Sequence, residues 1–384
     1  MKCQRKKFNL GRKEAYLNCS YMSPLLKKVE NAGHAGLIMK RRPHKITAED
    51  FFNDGETVRK LFADIINCPD PMRIVTIPSV SYGIANVVHN LTISKGQNVV
   101  IAEDQFPSNV YPWMRFCQDT GAQLKIIEPP KTEQDRAQKW NKKILKAIDE
   151  NTVAVSVGQV HWADGSLFDL KSIRSATNKV GAALIIDGTQ SVGAYPFDVQ
   201  EIQPDALICA GYKMLFGPYS IGVAYYGERF DGGTPVEESW MNRIDSENFA
   251  ELVNYKDTYR NGALRYEIGE HSNFILLPML IASLKQIRKW GTNDIQSYCY
   301  DLTKDAIMEL RSMGLYIEND DDRAKHIFGI KCPPDKVDDI KTQLKVNKVS
   351  VSFRGDFVRV SPHVYNDEMD IRKLMKAFKQ VFQN

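Results

Sequence analysis

A chain of 384 residues is longer than one hydrophobic core usually serves, so two domains are expected. Its 43% hydrophobic and 26% charged residues are ordinary for a globular protein in water, and a formal charge of +4, with no basic run beyond residues 2–7, excludes a nucleic-acid footprint. No segment approaches the ~18 consecutive apolar residues of a membrane span, the basic start precedes no apolar stretch of a signal peptide, and seven cysteines without a C-x-x-C pair point to a reducing cytoplasm.

From about Met72 to Tyr226 short apolar runs alternate with longer amphipathic ones. The runs at 73–78, 98–103, 123–128, 153–160, 183–187, 206–211 and 221–226 are rich in Val and Ile and too continuous to be half-exposed, which predicts buried strands. The segments 83–92, 109–121, 140–150 and 170–181 between them predict helices. Strand and helix alternating at this spacing predict an α/β fold, a mainly parallel sheet sandwiched by helices. The stretch 227–260, rich in Gly, Glu and Ser, predicts an irregular connection. Beyond Asn261, amphipathic helices at 274–290, 294–313, 335–346 and 367–382 and strands at 326–331 and 357–362 predict a smaller α+β domain. The expected division is a large domain at 20–260 and a C-terminal domain at 261–384, joined by the N-terminal segment 1–19. There is no G-x-x-x-x-G-K-[ST] loop and no H-E-x-x-H helix, so neither a P-loop nor a metal site is expected.

In an open parallel sheet, ligands sit beyond the carboxyl ends of the strands. The residues there form a chemical set. Lys213 follows the run ending at Gly211, and a lone loop lysine ordinarily just reaches water. Asp187 ends the 183–187 run, where it serves equally as a helix cap. Ser79, Ser81 and Tyr82 follow the 73–78 run at a helix start, a phosphate cradle or an ordinary cap. Phe106 stands in a polar loop after the 98–103 run, and alone reads as core. Arg359 lies between valines, where a structural ion pair is as reasonable as a ligand. One chemistry uses all of them together. Pyridoxal phosphate needs a lysine for its aldehyde, a carboxylate for its ring nitrogen, a phosphate cradle and a flat group against its ring. An amino-acid substrate adds a guanidinium for its α-carboxylate.

The block 184–222, LIIDGTQSVGAYPFDVQEIQPDALICAGYKMLFGPYSIG, resembles the class V aminotransferase family of fold-type-I pyridoxal-phosphate enzymes, which includes cysteine desulfurases, kynureninase and isopenicillin N epimerase. Similarity extends to YLNCSYMSPL (16–25), IPSVSYGIANVV (77–88), EDQFPSNVYPW (103–113) and RVSPHVYN (359–366). The resemblance implies that Lys213 is the Schiff-base lysine and proton carrier, with Asp187 on the pyridine nitrogen and Gln190 on the 3′ oxygen. Ser81, Tyr82 and Tyr212 are implied at the phosphate, Phe106 on the ring and Arg359 on the substrate carboxylate. It also implies a homodimer, in which 267–273 (EIGEHSN) reaches the neighbour's phosphate.

Departures narrow the reaction. Between Pro333 and the C-terminus there is no cysteine, so a desulfurase-type persulfide relay is not expected. Trp162 stands where desulfurases carry an asparagine, either narrowing the substrate side or simply packing. The expected activity is Cα deprotonation of an α-amino acid, leading to transamination or to C–S or C–C lysis. An epimerase would need a second acid–base group, for which His161 and Tyr82 are the candidates. A catalytically silent binding protein is the third reading.

Overall fold

The computed structural model describes residues 1–382. Its strands are β1 (Ala15–Tyr16), β2 (Ile74–Ile77), β3 (Asn98–Ala102), β4 (Gln123–Ile127), β5 (Thr152–Gly158), β6 (Ala183–Asp187), β7 (Ala206–Ala210), β8 (Gly222–Tyr226), β9 (Phe328–Lys331), β10 (Val349–Ser350), β11 (Ser352–Arg354) and β12 (Phe357–Val360). Seven of them form the large sheet in the order β2-β8-β7-β6-β5-β3-β4. Only β8 runs against the rest, pairing antiparallel with both β2 and β7. The mainly parallel sheet is therefore present, and helices cover both its faces.

Side-chain alternation explains the two faces. Val99, Ile101, Ile185 and Ile208 are buried in one apolar cluster. Val100, Ile186, Leu207 and Cys209, their odd-step neighbours, are buried in the other. The 123–128 run departs from expectation. β4 is an edge strand paired only with β3, and Ile126 on it is 47% exposed.

The crossover helices begin and end on local signals. Ser79 caps Val80–His89 and Asp169 caps Leu170–Val180, each accepting a backbone N–H from the residue three ahead. Gly181, at φ 74°, closes the second helix in a left-handed conformation open to glycine without strain. Two helices, Lys27–Met39 and Asn53–Ile65, lie outside the elements expected from sequence. They pack on Leu276–Trp290, whose Leu277, Leu280, Leu284 and Ile287 enter the large-sheet core.

The remaining C-terminal chain folds around a second core. β11, β12 and β9 form an antiparallel sheet packed with Val337–Val346 and Glu368–Phe382. β1 pairs in parallel with β10, and Ala15 and Leu17 are buried in this smaller core. Among the described residues no helix is long and apolar enough to cross a membrane.

Candidate active site

The carboxyl ends of β2, β3, β5, β6 and β7 converge on a cavity of about 360 Å³. Ser81, Phe106, Trp162, Asp187, Gln190, Tyr212 and Lys213 all line it. A recess of about 320 Å³ shares Phe106, Trp162, Tyr212 and Lys213 with it and adds Arg359. With Ser79 and His161, which also line the cavity, ten of the eleven residues singled out in the sequence thus meet around one space. Tyr82 does not. Its hydroxyl donates to Glu237 Oε2 at 3.0 Å and its ring packs against the opposite cluster, so only its backbone N–H serves this end of the sheet, donating to Ser79 Oγ.

Lys213 sits in the turn after β7. The turn is held by Gly211 N–H donating to Ile221 O at 2.9 Å, by Gly217 N–H donating to Gly211 O at 2.8 Å, and by Met214, Leu215 and Phe216, all buried in the large core. Those three apolar residues anchor the turn while the lysine points the other way. The side chain is 5% exposed, and among the described residues its amine has neither a hydrogen bond nor a carboxylate in contact. Its nearest partners are the ring faces of Phe106, 4.7 Å to the centroid, and Tyr212, 5.4 Å. Burial lowers its pKa to about 8, with Arg359 and Arg354 adding to the effect and Asp187 opposing it.

Asp187 ends β6 facing the cavity, and its Oδ1 accepts the N–H of Thr189 at 3.0 Å. Desolvation raises its pKa, against the hydrogen bonds from Thr189 and the field of Lys213. Thr189 also fastens the ends of β6 and β7 together, its hydroxyl accepting the N–H of Ala210 at 3.1 Å. Gln190 donates from Nε2 to Ser20 O at 3.2 Å, and its buried Oε1 has no partner. At the end of β2, Ser79 Oγ and Ser81 Oγ lie 3.0 Å apart at the first turn of a ten-residue helix, whose leading N–H groups have no intrahelical acceptor.

The aromatic wall comes from the ends of β3 and β5. Phe106 meets Trp162 edge-on at 5.5 Å, and the indole N–H donates to Asp104 O. His161 is enclosed between Asp164 Oδ1 at 2.9 Å and Asp104 O at 3.2 Å.

Arg359 on β12 is fully buried, yet it has no carboxylate partner among the described residues. Nη1 donates to Trp162 O at 3.0 Å and Nη2 to Ser352 Oγ at 3.3 Å, while Nε has no acceptor. Burial, helped by Arg354, lowers its pKa to about 9. The structural ion pair weighed from sequence is absent. Segment 267–273 lies elsewhere: Glu267 pairs with Arg59 at 2.5 Å and accepts from Thr76 N at 2.9 Å.

Sequence reasoning missed Thr189 and Arg354. Each is a polar residue within five positions of one that was found, and the strand-end rule covers the first. Among the described residues no group of three or more His, Cys, Asp or Glu is placed to hold a metal ion.

A buried, unpaired amine, a carboxylate at the next strand end, an orphaned amide oxygen and a free helix N-terminus fit the aldehyde, ring nitrogen, 3′ oxygen and phosphate of pyridoxal phosphate. With this sheet order and the small C-terminal domain, they define a fold-type-I pyridoxal-phosphate enzyme.

The comparisons agree. The family model of aminotransferase class-V matches residues 39–374. An uncharacterized protein of Schizosaccharomyces pombe is 27% identical over 384 residues, covering 96% of this chain and 84% of its own. An uncharacterized aminotransferase of Bacillus subtilis is 25% identical, covering 83% and 81%. Cysteine desulfurases of Escherichia coli are 27% identical over 67% of this chain, but the match spans only 62% of theirs. Among solved structures, an apo cysteine desulfurase of Thermococcus onnurineus superposes with TM-score 0.84 at 21% identity, covering 100% and 99% of the two chains. A cystine C–S lyase, solved with its product cysteine persulfide, superposes with TM-score 0.82 at 16% identity, covering 95% and 97%. These two likenesses concern the fold. The chain belongs to the class V aminotransferase family and is a pyridoxal-phosphate-dependent enzyme of that family.

Proposed function

We propose that this enzyme removes the Cα proton of an α-amino acid and completes either a transamination or a β-elimination (C–S or C–C lysis). The observation that carries this reading is the buried amine of Lys213, unpaired and held between aromatic faces one strand from Asp187. Pyridoxal phosphate supplies an aldehyde that condenses with amines and a ring that draws electron density away from Cα. Lys213 Nζ would hold the cofactor through its aldehyde, and the same amine would take and return the Cα proton. Its lowered pKa keeps more of the amine neutral for both tasks. Asp187 holds the proton on the ring nitrogen. Gln190 orients the ring at the 3′ oxygen through its free amide oxygen. Ser79, Ser81 and Tyr212 would hold the phosphate, and Phe106 would pack against the ring. Phe106 and Trp162 exclude water, and Arg359 clamps the α-carboxylate.

Several features favour this outcome over its relatives. Six of the seven cysteines are buried, Cys3 alone is exposed, and none lines the cavity or the recess, which disfavours a persulfide relay. His161 and Tyr82, the candidates for an epimerase's second acid–base group, are both committed to other partners. The proposal includes a homodimer in the cytoplasm, with 267–273 against the neighbour's cofactor phosphate.

Purified protein given the cofactor should develop the visible band of an enzyme-bound Schiff base, and Lys213→Ala should abolish it. A panel of amino acids should yield a keto acid or pyruvate. Cα deuterium exchange with inversion, and no keto acid, would replace this reading with the epimerase.

A further inference from the structure

Two guanidinium groups face the recess beyond the lysine, and an α-carboxylate satisfies only one of them. β11 and β12 form a hairpin in which Ser352 stands opposite Arg359 and Arg354 opposite Phe357. Residues two apart on a strand share a face, and so do residues paired across a ladder. Arg354 and Arg359 therefore project from the same side of the hairpin. Both reach Trp162, the Arg354 guanidinium 5.0 Å from the ring centroid and that of Arg359 5.7 Å.

The charge balance of the recess is one-sided. Lys213, Arg354 and Arg359 line it, and no acidic side chain does. Among the described residues the Arg354 side chain makes one hydrogen bond, from Nη1 to the carbonyl of Phe353 at 2.7 Å. Its Nε is buried and has no acceptor. An arginine merely resting on an indole at the surface would keep that N–H in water. Grouping two guanidinium groups beside Lys213 where water is partly excluded is unfavourable unless anions join them. The cofactor phosphate belongs at the far end of the cavity, by the helix start at Ser79, and does not serve Arg354.

We propose that the substrate is an α-amino acid whose short side chain ends in a second anionic group, held by Arg354 while Arg359 takes the α-carboxylate. This rests on the role given above to Arg359. Carboxylate, sulfinate and phosphate share the needed chemistry, since each offers a guanidinium two oxygens in one plane. Arg354 is then the residue that sets specificity.

The test has two arms. In the first, cofactor-loaded enzyme is assayed on aspartate, cysteine sulfinate and O-phosphoserine, each against a neutral counterpart (asparagine, cysteine, serine). At least one anionic substrate should exceed its counterpart in kcat/KM, and Arg354→Gln should lower that ratio by roughly 10- to 100-fold, the worth of a charge-assisted hydrogen bond. A ratio at or below one for every pair, or a ratio unmoved by the substitution, overturns the proposal.

The second arm needs no turnover. Protein without cofactor is melted with succinate or propionate at equal concentration. Succinate should raise Tm more, and Arg354→Gln should remove the difference. Equal shifts in the unaltered protein overturn the proposal. If loaded enzyme turns over no amino acid at all, the functional reading fails, and the succinate arm still decides whether Arg354 binds a second anion.

Discussion

The amine of Lys213 offers the sharpest test of the site's electrostatics. Its pKa falls from 10.5 to about 8, a ~3 kcal/mol preference for the neutral form relative to a surface lysine. At pH 7 roughly 10% of such amines are neutral, against roughly 0.03% at an ordinary lysine, a gain of about 300-fold. Competitive labelling of cofactor-free protein with an amine reagent across pH 6–11, read at the peptide containing residue 213, should give a midpoint near 8. Exposed lysines in the same digest supply the reference. Asp187→Asn is the informative perturbation. The carboxylate is the one group holding the lysine up, so its loss should move the midpoint further down. Arg359→Met, which removes a like charge, should move it up. A midpoint shared with the exposed lysines, or an upward shift in Asp187→Asn, would refute the reasoning.

Three further outcomes follow from other buried positions. His326 is buried with Nε2 donating to Gln190 O at 2.7 Å, and burial lowers its pKa from 6.5 to about 4. The unfolded chain therefore takes up the proton first, so stability is complete above pH 6.5 and falls by ~3 kcal/mol as pH drops toward 4. Urea midpoints at pH 7 and 4.5 should show that slope, and His326→Gln should flatten it, leaving a residue from His363, which is shifted in the same sense. Glu267→Gln strips the buried Arg59 of its carboxylate and should cost ~3–5 kcal/mol in urea unfolding. Gly211→Ala would drive a methyl into the carbonyl of Ile221. The turn carrying Lys213 should shift, and titration with cofactor should show weaker binding while far-ultraviolet circular dichroism stays unchanged.

The large sheet was legible because six of its seven strands are buried on both faces and read as continuous runs. β4 shows the limit of that rule. QLKII carries a core strand's composition at an edge, because order in the sheet is set by crossovers that no single strand records. The site was legible for a related reason, since placing chemistry at strand ends needs only the strands. Lys213, Asp187, Phe106 and Ser81 follow from it, and the family resemblance added Gln190 and Tyr212. Tyr82 shows what the rule lacks. It stands one residue from Ser81, but a helix turns successive side chains by about 100°, which sends its hydroxyl to Glu237 instead. Arg354 was hidden for the opposite reason. It lies beside a glycine turn, and only the pairing of β11 with β12 puts it on the face that Arg359 occupies.

The cations of this site also link its function to its stability. Arg359 and Lys213 are buried without an acid, and burying a charge without a counter-charge works against folding. A protein keeps such groups where a ligand supplies the missing anion or where the charge itself is given up. Lys213 does the second in part, through its lowered pKa. Arg359 remains a cation until a carboxylate arrives. The folded state should therefore be tightened by ligand anions with the logarithm of their concentration over Kd, about 2.7 kcal/mol at a hundredfold excess. Arg359→Met should give the opposite pattern: a cofactor-free protein at least as stable as the original, because a buried unpaired charge has been replaced by an apolar side chain of similar length, but one whose Tm no longer responds to carboxylates. If instead the cofactor-free variant is several kcal/mol less stable and still stabilised by propionate, Arg359 is a structural residue, and the recess is not where the substrate's carboxylate binds.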